Sequence, residues 1–157
     1  MFKQRKYTQS ESSYRKAVQI ESGNATHHFG VGQALEFQWK YREAIAAYQR
    51  SVEIEPTNGF YHSAVAYVLA NLKEFAESEV YYRNSLKYEP DNVSYLIGMG
   101  WVLEQQRRYE EGESEVEKAL RVAPNNPVAV KLLNRIRDVR QTGVRTRQSP
   151  DSGNPWF

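Results

Sequence analysis

From Ala25 to about Gln38 the apolar residues Val31, Ala34 and Leu35 fall three or four positions apart, the spacing of one face of a helix. A second run of the same kind follows from Tyr41 to Ile54, carried by Ala44, Ile45, Tyr48 and Val52. Pro56 cannot continue it, and Asn58 is a favoured N-cap for whatever helix comes next. The pattern therefore predicts two helices, a stop, and a restart.

The same pattern then recurs. Glu55-Pro56, Glu89-Pro90 and Ala123-Pro124 stand 34 residues apart, as do Asn24, Asn58, Asn92 and Asn126. The aromatics Tyr7, Tyr41, Phe75 and Tyr109 keep that interval, and so do Tyr14, Tyr48 and Tyr82, with Val116 next. Leu35, Leu69 and Leu103 form another series. Small residues hold two registers: Gly32, Ala66 and Gly100, and Ser10, Ala44, Ser78 and Gly112. Self-similarity at one fixed period, without insertion or deletion, is the signature of a helical repeat array. The pairs Gly32/Ala44, Ala66/Ser78 and Gly100/Gly112 predict where two antiparallel helices approach closely, with large residues closing the gap on either side.

The period, the small-residue pair, the aromatic opening the second helix and the closing proline resemble the tetratricopeptide repeat. Three full units match, at 25–58, 59–92 and 93–126. His28 and His62 stand where the family usually has tryptophan, and Trp39 occupies a turn position where glycine is usual. The resemblance implies an all-α solenoid of antiparallel helix pairs, wound as a superhelix. Residues 7–22 read as the second helix of a half-repeat. Residues 127–141 read as a capping helix, with Val130, Leu133 and Ile136 inward and Lys131, Arg135 and Arg137 outward. One domain over 1–141 is expected, followed by a disordered tail over 142–157 that is rich in Gly, Ser, Pro and Arg.

Composition narrows the function. Hydrophobic residues are 40% and charged residues 25%, as in a globular chain rather than a disordered one. Cysteine is absent, which excludes disulfides and thiolate metal sites. No run of about 18 apolar residues predicts a membrane span, and the basic N-terminus lacks the apolar stretch of a secretory signal. The expected location is the cytoplasm. The net charge of +2 is unevenly placed: residues 1–24 hold five Lys/Arg against two acids, 25–126 ten against fifteen, and 127–157 six against two. An acidic body would repel a phosphate backbone, so an RNA-binding helical repeat ranks last among the readings and no nucleic acid is expected. His28 and His62 would lie roughly 10 Å apart on neighbouring helices, too far to share one metal ion. The run Glu110, Glu111, Glu113, Glu115 and Glu117 reads as a solvated face. No phosphate loop, nucleophile elbow or His-Glu-His spacing occurs, so neither an enzyme nor a cofactor is expected.

A binding surface is expected instead. One stripe of each first helix supplies the core; another runs through Thr26, Phe29, Gln33 and Phe37. Its counterparts are Phe60, Ser63, Tyr67 and Asn71, then Ser94, Ile97, Trp101 and Gln105. The resemblance implies that these stripes line the concave face, where the family binds extended or helical peptides. Aromatic anchors there would hold a partner, or they would pack between adjacent first helices. Chaperone-binding members grip a C-terminal carboxylate with Lys, Arg and Asn. The matching positions here are Phe29, Gln33, Ala64, Ser94 and Gly98, which carry no cation. Lys131 and Arg135 are expected at the groove mouth, favouring a ligand that is apolar in the middle and acidic at one end. An adaptor or assembly factor is the leading reading. A self-associating scaffold is the alternative, because a half-repeat would leave Tyr14 and Val18 uncovered and invite a weak homo-oligomer.

Overall fold

The computed structural model describes residues 2–143, and the side chains of 6–143. Among them are eight helices and no strand: α1 (Phe2–Ile20), α2 (Ala25–Glu36), α3 (Tyr41–Ile54), α4 (Gly59–Asn71), α5 (Phe75–Tyr88), α6 (Val93–Gln105), α7 (Tyr109–Val122) and α8 (Pro127–Thr142). Each helix packs on its neighbours in the chain, most extensively in the hairpins α2/α3, α4/α5 and α6/α7. Contacts of α4 with α6 and of α6 with α8 set first helices side by side on one face. This is the solenoid that the period predicts. The expected tail from 144 onward lies outside the described residues, and Thr142 and Gly143 belong to the end of α8.

The asparagines cap as expected. Asn24, Asn58, Asn92 and Asn126 each accept from one or two backbone N–H groups of the following first turn. In the first three, the side-chain amide also donates to a glutamate three residues earlier, at 2.9–3.0 Å. Helix exits are equally uniform. Trp39, Lys73 and Arg107 take a left-handed backbone, with φ of 65°, 63° and 62°. The N–H after each one bonds back to Leu35, Leu69 or Leu103, closing a Schellman turn where glycine is normally favoured.

Close helix approach follows the small residues. A methyl added to Gly100 would sit 2.4 Å from the Val116 side chain and 3.1 Å from the Gly112 carbonyl. Ser78 Oγ donates to the Ala66 carbonyl at 2.7 Å, a bond only a short side chain can make across that gap. Gly32 leaves room for Tyr48 within its own repeat, whereas Gly98 leaves room for Tyr82 of the repeat before. Each tyrosine of this series is thus wedged against first helices. Tyr48 and Tyr82 are 1% and 4% exposed. Tyr14 lies over Gly30 but has no first helix of its own unit beside it among the described residues, and it is 37% exposed. The expectation that Tyr14 and Val18 are both bare needs correction, because Val18 packs against the core of α2–α4.

The cap differs in detail from its expected pattern. Ala129, Leu132, Leu133, Ile136 and Val139 of α8 face inward, while Val130 is exposed. The helix turns one position further than the triad Val130, Leu133 and Ile136 implies. Two basic residues near the end of α8 are engaged by α7. Arg137 bonds to Glu113 and Glu117 at 2.6 and 2.7 Å, and Arg140 pairs with Glu113 at 2.8 Å. The acidic run of α7 is therefore partly neutralised by the helix stacked on it.

Three outcomes test this packing. Gly100→Leu is expected to lower stability by more than about 2 kcal/mol through overpacking. Gly23→Ala, where a methyl meets nothing within 4 Å, is expected to melt with the parent. Lys73→Gly is expected to raise stability by about 1 kcal/mol, the left-handed penalty relieved. Thermal melts followed by circular dichroism measure all three.

Candidate peptide-binding face

The first helices α2, α4, α6 and α8 carry the stripes identified in the sequence, but the structure does not leave them equally accessible. At the N-terminal end the aromatic rings form two groups, one around Phe29 and one at Phe37. Phe29 lies 4.8 Å from Phe60, 5.2 Å from Tyr48 and 5.5 Å from Tyr61, ring centre to ring centre. Phe37 stacks on Tyr7 of α1 at 4.7 Å. Phe37 and Phe60 remain 53% and 50% exposed, and Gln33 is exposed between them. Tyr67 and Asn71 are half-buried on α4.

Further along, the face closes. Ile97 is 0% and Trp101 5% exposed, both within the core shared by α4–α8, with Trp101 edge-on to Phe75 at 5.8 Å. These two residues pack between helices, the alternative that the sequence left open for the aromatic stripe. Gln105 is half-buried. Lys131 is exposed, but Arg135 is engaged: Nε and Nη2 donate to the two oxygens of buried Glu104 at 2.7 and 2.6 Å. A planar bidentate pair of this kind leaves the guanidinium little capacity for an acidic ligand, so the expected acid-binding mouth is corrected at Arg135.

The missing carboxylate clamp has a packing cause at one position. A methyl on Gly98 would meet the Tyr82 ring at 2.5 Å, so no longer side chain fits there. The histidines are also accounted for. The rings of His28 and His62 each bond through Nε2 to a carbonyl six residues earlier, Ser22 at 2.9 Å and Pro56 at 2.8 Å. His62 also lies between Tyr81 and Tyr88, each 6.0 Å away. They act as braces between a first helix and the loop before it. Among the described residues no three His, Cys, Asp or Glu stand close enough to hold a metal, and no helix is long and apolar enough to cross a membrane.

A second carboxylate on this face is missing from the sequence reading. Glu36 is half-buried on α2 and accepts the Tyr48 hydroxyl at 2.6 Å. Burial raises its carboxyl above the usual range, only partly opposed by that bond. Burial, together with the Glu36 charge, raises the phenols of Tyr41, Tyr48 and Tyr67. Glu36 and Glu104 occupy the same place in their repeats, 68 residues apart. The same doubled period unites two polar clamps. Glu11 takes bonds from Arg15 and Gln38, both at 2.8 Å, with Lys40 at 3.6 Å. Glu79 takes them from Arg83, Gln106 and Arg108 at 2.5–3.0 Å. Both carboxyls are lowered: burial opposes ionisation, and the bonded cations and amide outweigh it.

Glu104→Gln removes the partner of a mostly covered guanidinium and is expected to cost about 2 kcal/mol. Glu36→Gln strands no cation and is expected to melt at or above the parent at neutral pH. Because the Glu36 carboxyl is raised, its stabilising protonated form is lost as pH rises through the folded-state value. The advantage of Glu36→Gln should therefore grow from acid to neutral pH. Paired melts at three pH values decide this.

The comparisons agree with the geometry. The chain resembles the first such domain of Spaghetti (RPAP3), solved with the HSP90 peptide SRMEEVD, at 24% identity over 75% of this chain and 94% of that one, TM-score 0.73. It resembles YrrB, described as having an unusual peptide-binding site, at 17% identity over 87% and 71%, TM-score 0.76. It resembles MamA at 12% identity over 88% and 80%, TM-score 0.80. No curated protein matches the chain in sequence. The tetratricopeptide repeat model matches residues 2–59 and 63–127, and with the repeated caps, turns and tyrosine wedges the chain belongs to the tetratricopeptide repeat family.

Proposed function

We propose that the chain is a non-catalytic protein-interaction module that holds an apolar or aromatic peptide segment on the face of α2 and α4, as an adaptor or assembly factor. The observation that carries this reading is the pair Phe37 and Phe60. Phe37, at the C-cap of α2, and Phe60, in the first turn of α4, are each about half exposed, and exposed aromatic area beside a fixed backbone is what an interface uses as an anchor. Gln33, Phe29 and Tyr67 complete the surface, with Asn71 beside Tyr67. Peptide binding by the first domain of RPAP3 supports the use of such an array for a peptide. The acidic sequence of that peptide does not transfer, because Phe29, Gln33, Ala64, Ser94 and Gly98 provide no cation where the carboxylate clamp has its polar groups.

A second reading rests on α1. Tyr14 is far more exposed than Tyr48 or Tyr82, and Ile20 beyond it is exposed too, so α1 offers apolar area to a second copy. Sedimentation across concentration tests it: a dimer that Tyr14→Glu abolishes supports self-association, and a parent that stays monomeric at about 1 mM excludes it.

The peptide reading is tested with acetylated, amidated hexapeptide pools in which one position is fixed as leucine or phenylalanine. Phe37→Ala with Phe60→Ala is expected to weaken retention by about 2 kcal/mol while lowering stability by about 1 kcal/mol or less. Trp101→Ala is expected to destabilise by about 3 kcal/mol or more, as a core deletion does. Retention unchanged by the double variant would overturn the assignment of this face.

A further inference from the structure

Glu36 and Glu104 are the same position of the repeat, yet only one is neutralised. Glu104 receives Arg135, which stands one first helix onward. The residue equivalent to Arg135 that faces Glu36 is Tyr67, 68 positions earlier. No Lys or Arg among the described residues forms an ion pair with Glu36. The array thus contains one carboxylate met by an internal guanidinium and one, at the same register, met by the Tyr48 hydroxyl where Val116 stands in the later repeat, with no cation against it.

The surroundings of Glu36 favour a cation. Tyr41 and Tyr67 are half-buried, and each is near enough to Glu36 to feel its charge. Tyr48 fixes one carboxylate oxygen from below. Rings beside a desolvated carboxylate attract a cation with both charge and quadrupole, and a planar guanidinium suits that geometry better than an ammonium. Exposed Phe37 is the next residue, and exposed Gln33 lies about one turn before. Glu36 is itself only half-buried, which leaves its carboxyl in reach of a segment lying on Gln33 and Phe37.

We propose that the peptide bound on this face presents an arginine to Glu36, seated between Tyr41 and Tyr67 as Arg135 is seated on Glu104. Arginine-bearing apolar segments are thereby selected over acidic ones. This rests on the reading of α2 and α4 as the binding face and names the residue that sets its specificity.

The test uses the full chain and the same hexapeptide pools, with each position fixed in turn as arginine, citrulline, leucine or glutamate. Citrulline keeps the shape of arginine and removes its charge. At one position the arginine pool should be retained about tenfold more strongly than the citrulline pool, with the glutamate pool weakest. Glu36→Gln should erase that preference while leaving the leucine pools bound. Tyr67→Arg should fill the seat from within, abolishing the preference and raising the melting temperature. Leucine pools retained without an arginine preference, or a preference that survives Glu36→Gln, would overturn the arginine seat and leave the binding face standing. No pool retained at any position would overturn both.

Discussion

Where Tyr82 crosses Gly98, and Tyr48 crosses Gly32, a single methyl group would sit 2.5 Å from the ring. That wedge of a large flat side chain into a gap without side chains sets the distance between neighbouring helices. In the α6/α7 hairpin Val116 against Gly100 takes the place of the ring. Ser78 can reach the Ala66 carbonyl because the helices are that close. The turns at Trp39, Lys73 and Arg107 must close within one residue for the same reason, and they do so at the expense of a left-handed backbone. The cost of that conformation is about 1 kcal/mol per residue, small beside the burial of a tyrosine ring and repeated without exception.

Charge is organised on the same scaffold but at twice its period. Carboxylates at Glu11, Glu79 and Glu104 are drawn in from solvent and met by guanidinium, ammonium or amide groups from the next repeat. Intervening positions hold Ile45, Leu72 and Ala70 instead. This particular clamp therefore recurs at every second repeat, while the boundary between carries a different pair, Arg42 with Glu74. Glu36 departs from this scheme, and its departure lies on the most accessible part of the inner face.

The helices, their caps and the small-residue contacts were legible in the sequence because each depends on neighbours within one repeat, and periodicity displays such neighbours directly. Asn58 before Gly59 and Gly100 against Gly112 needed no more than spacing. The inner face was legible only as a stripe. Ile97 and Trp101 sit in register with Phe29 and Gln33, yet their burial depends on how α6 lies against the helices packed around it, which no stripe records. Glu36 was missed altogether. Its significance comes from the residue facing it across the repeat boundary, and adjacency between different registers of successive repeats is a product of the stacking geometry. The inward carboxylate could have been suspected from the match of Glu36 with Glu104, since Tyr67 and Arg135 differ in kind at one register.

The doubled polar period bears on how such a chain can change length. Removing the single repeat 25–58 would set Glu11 against Leu72 and Glu74, a carboxylate facing a hydrocarbon and another carboxylate. Removing the two repeats 25–92 would set it against Gln106 and Arg108, the same chemistry it meets now in Gln38 and Lys40. The backbone geometry is indifferent between these deletions, whereas the electrostatics are not. Loss of one repeat would thus leave Glu11 without its partners, whereas loss of two would restore them, so this clamp counts repeats in pairs although the folding pattern counts them singly.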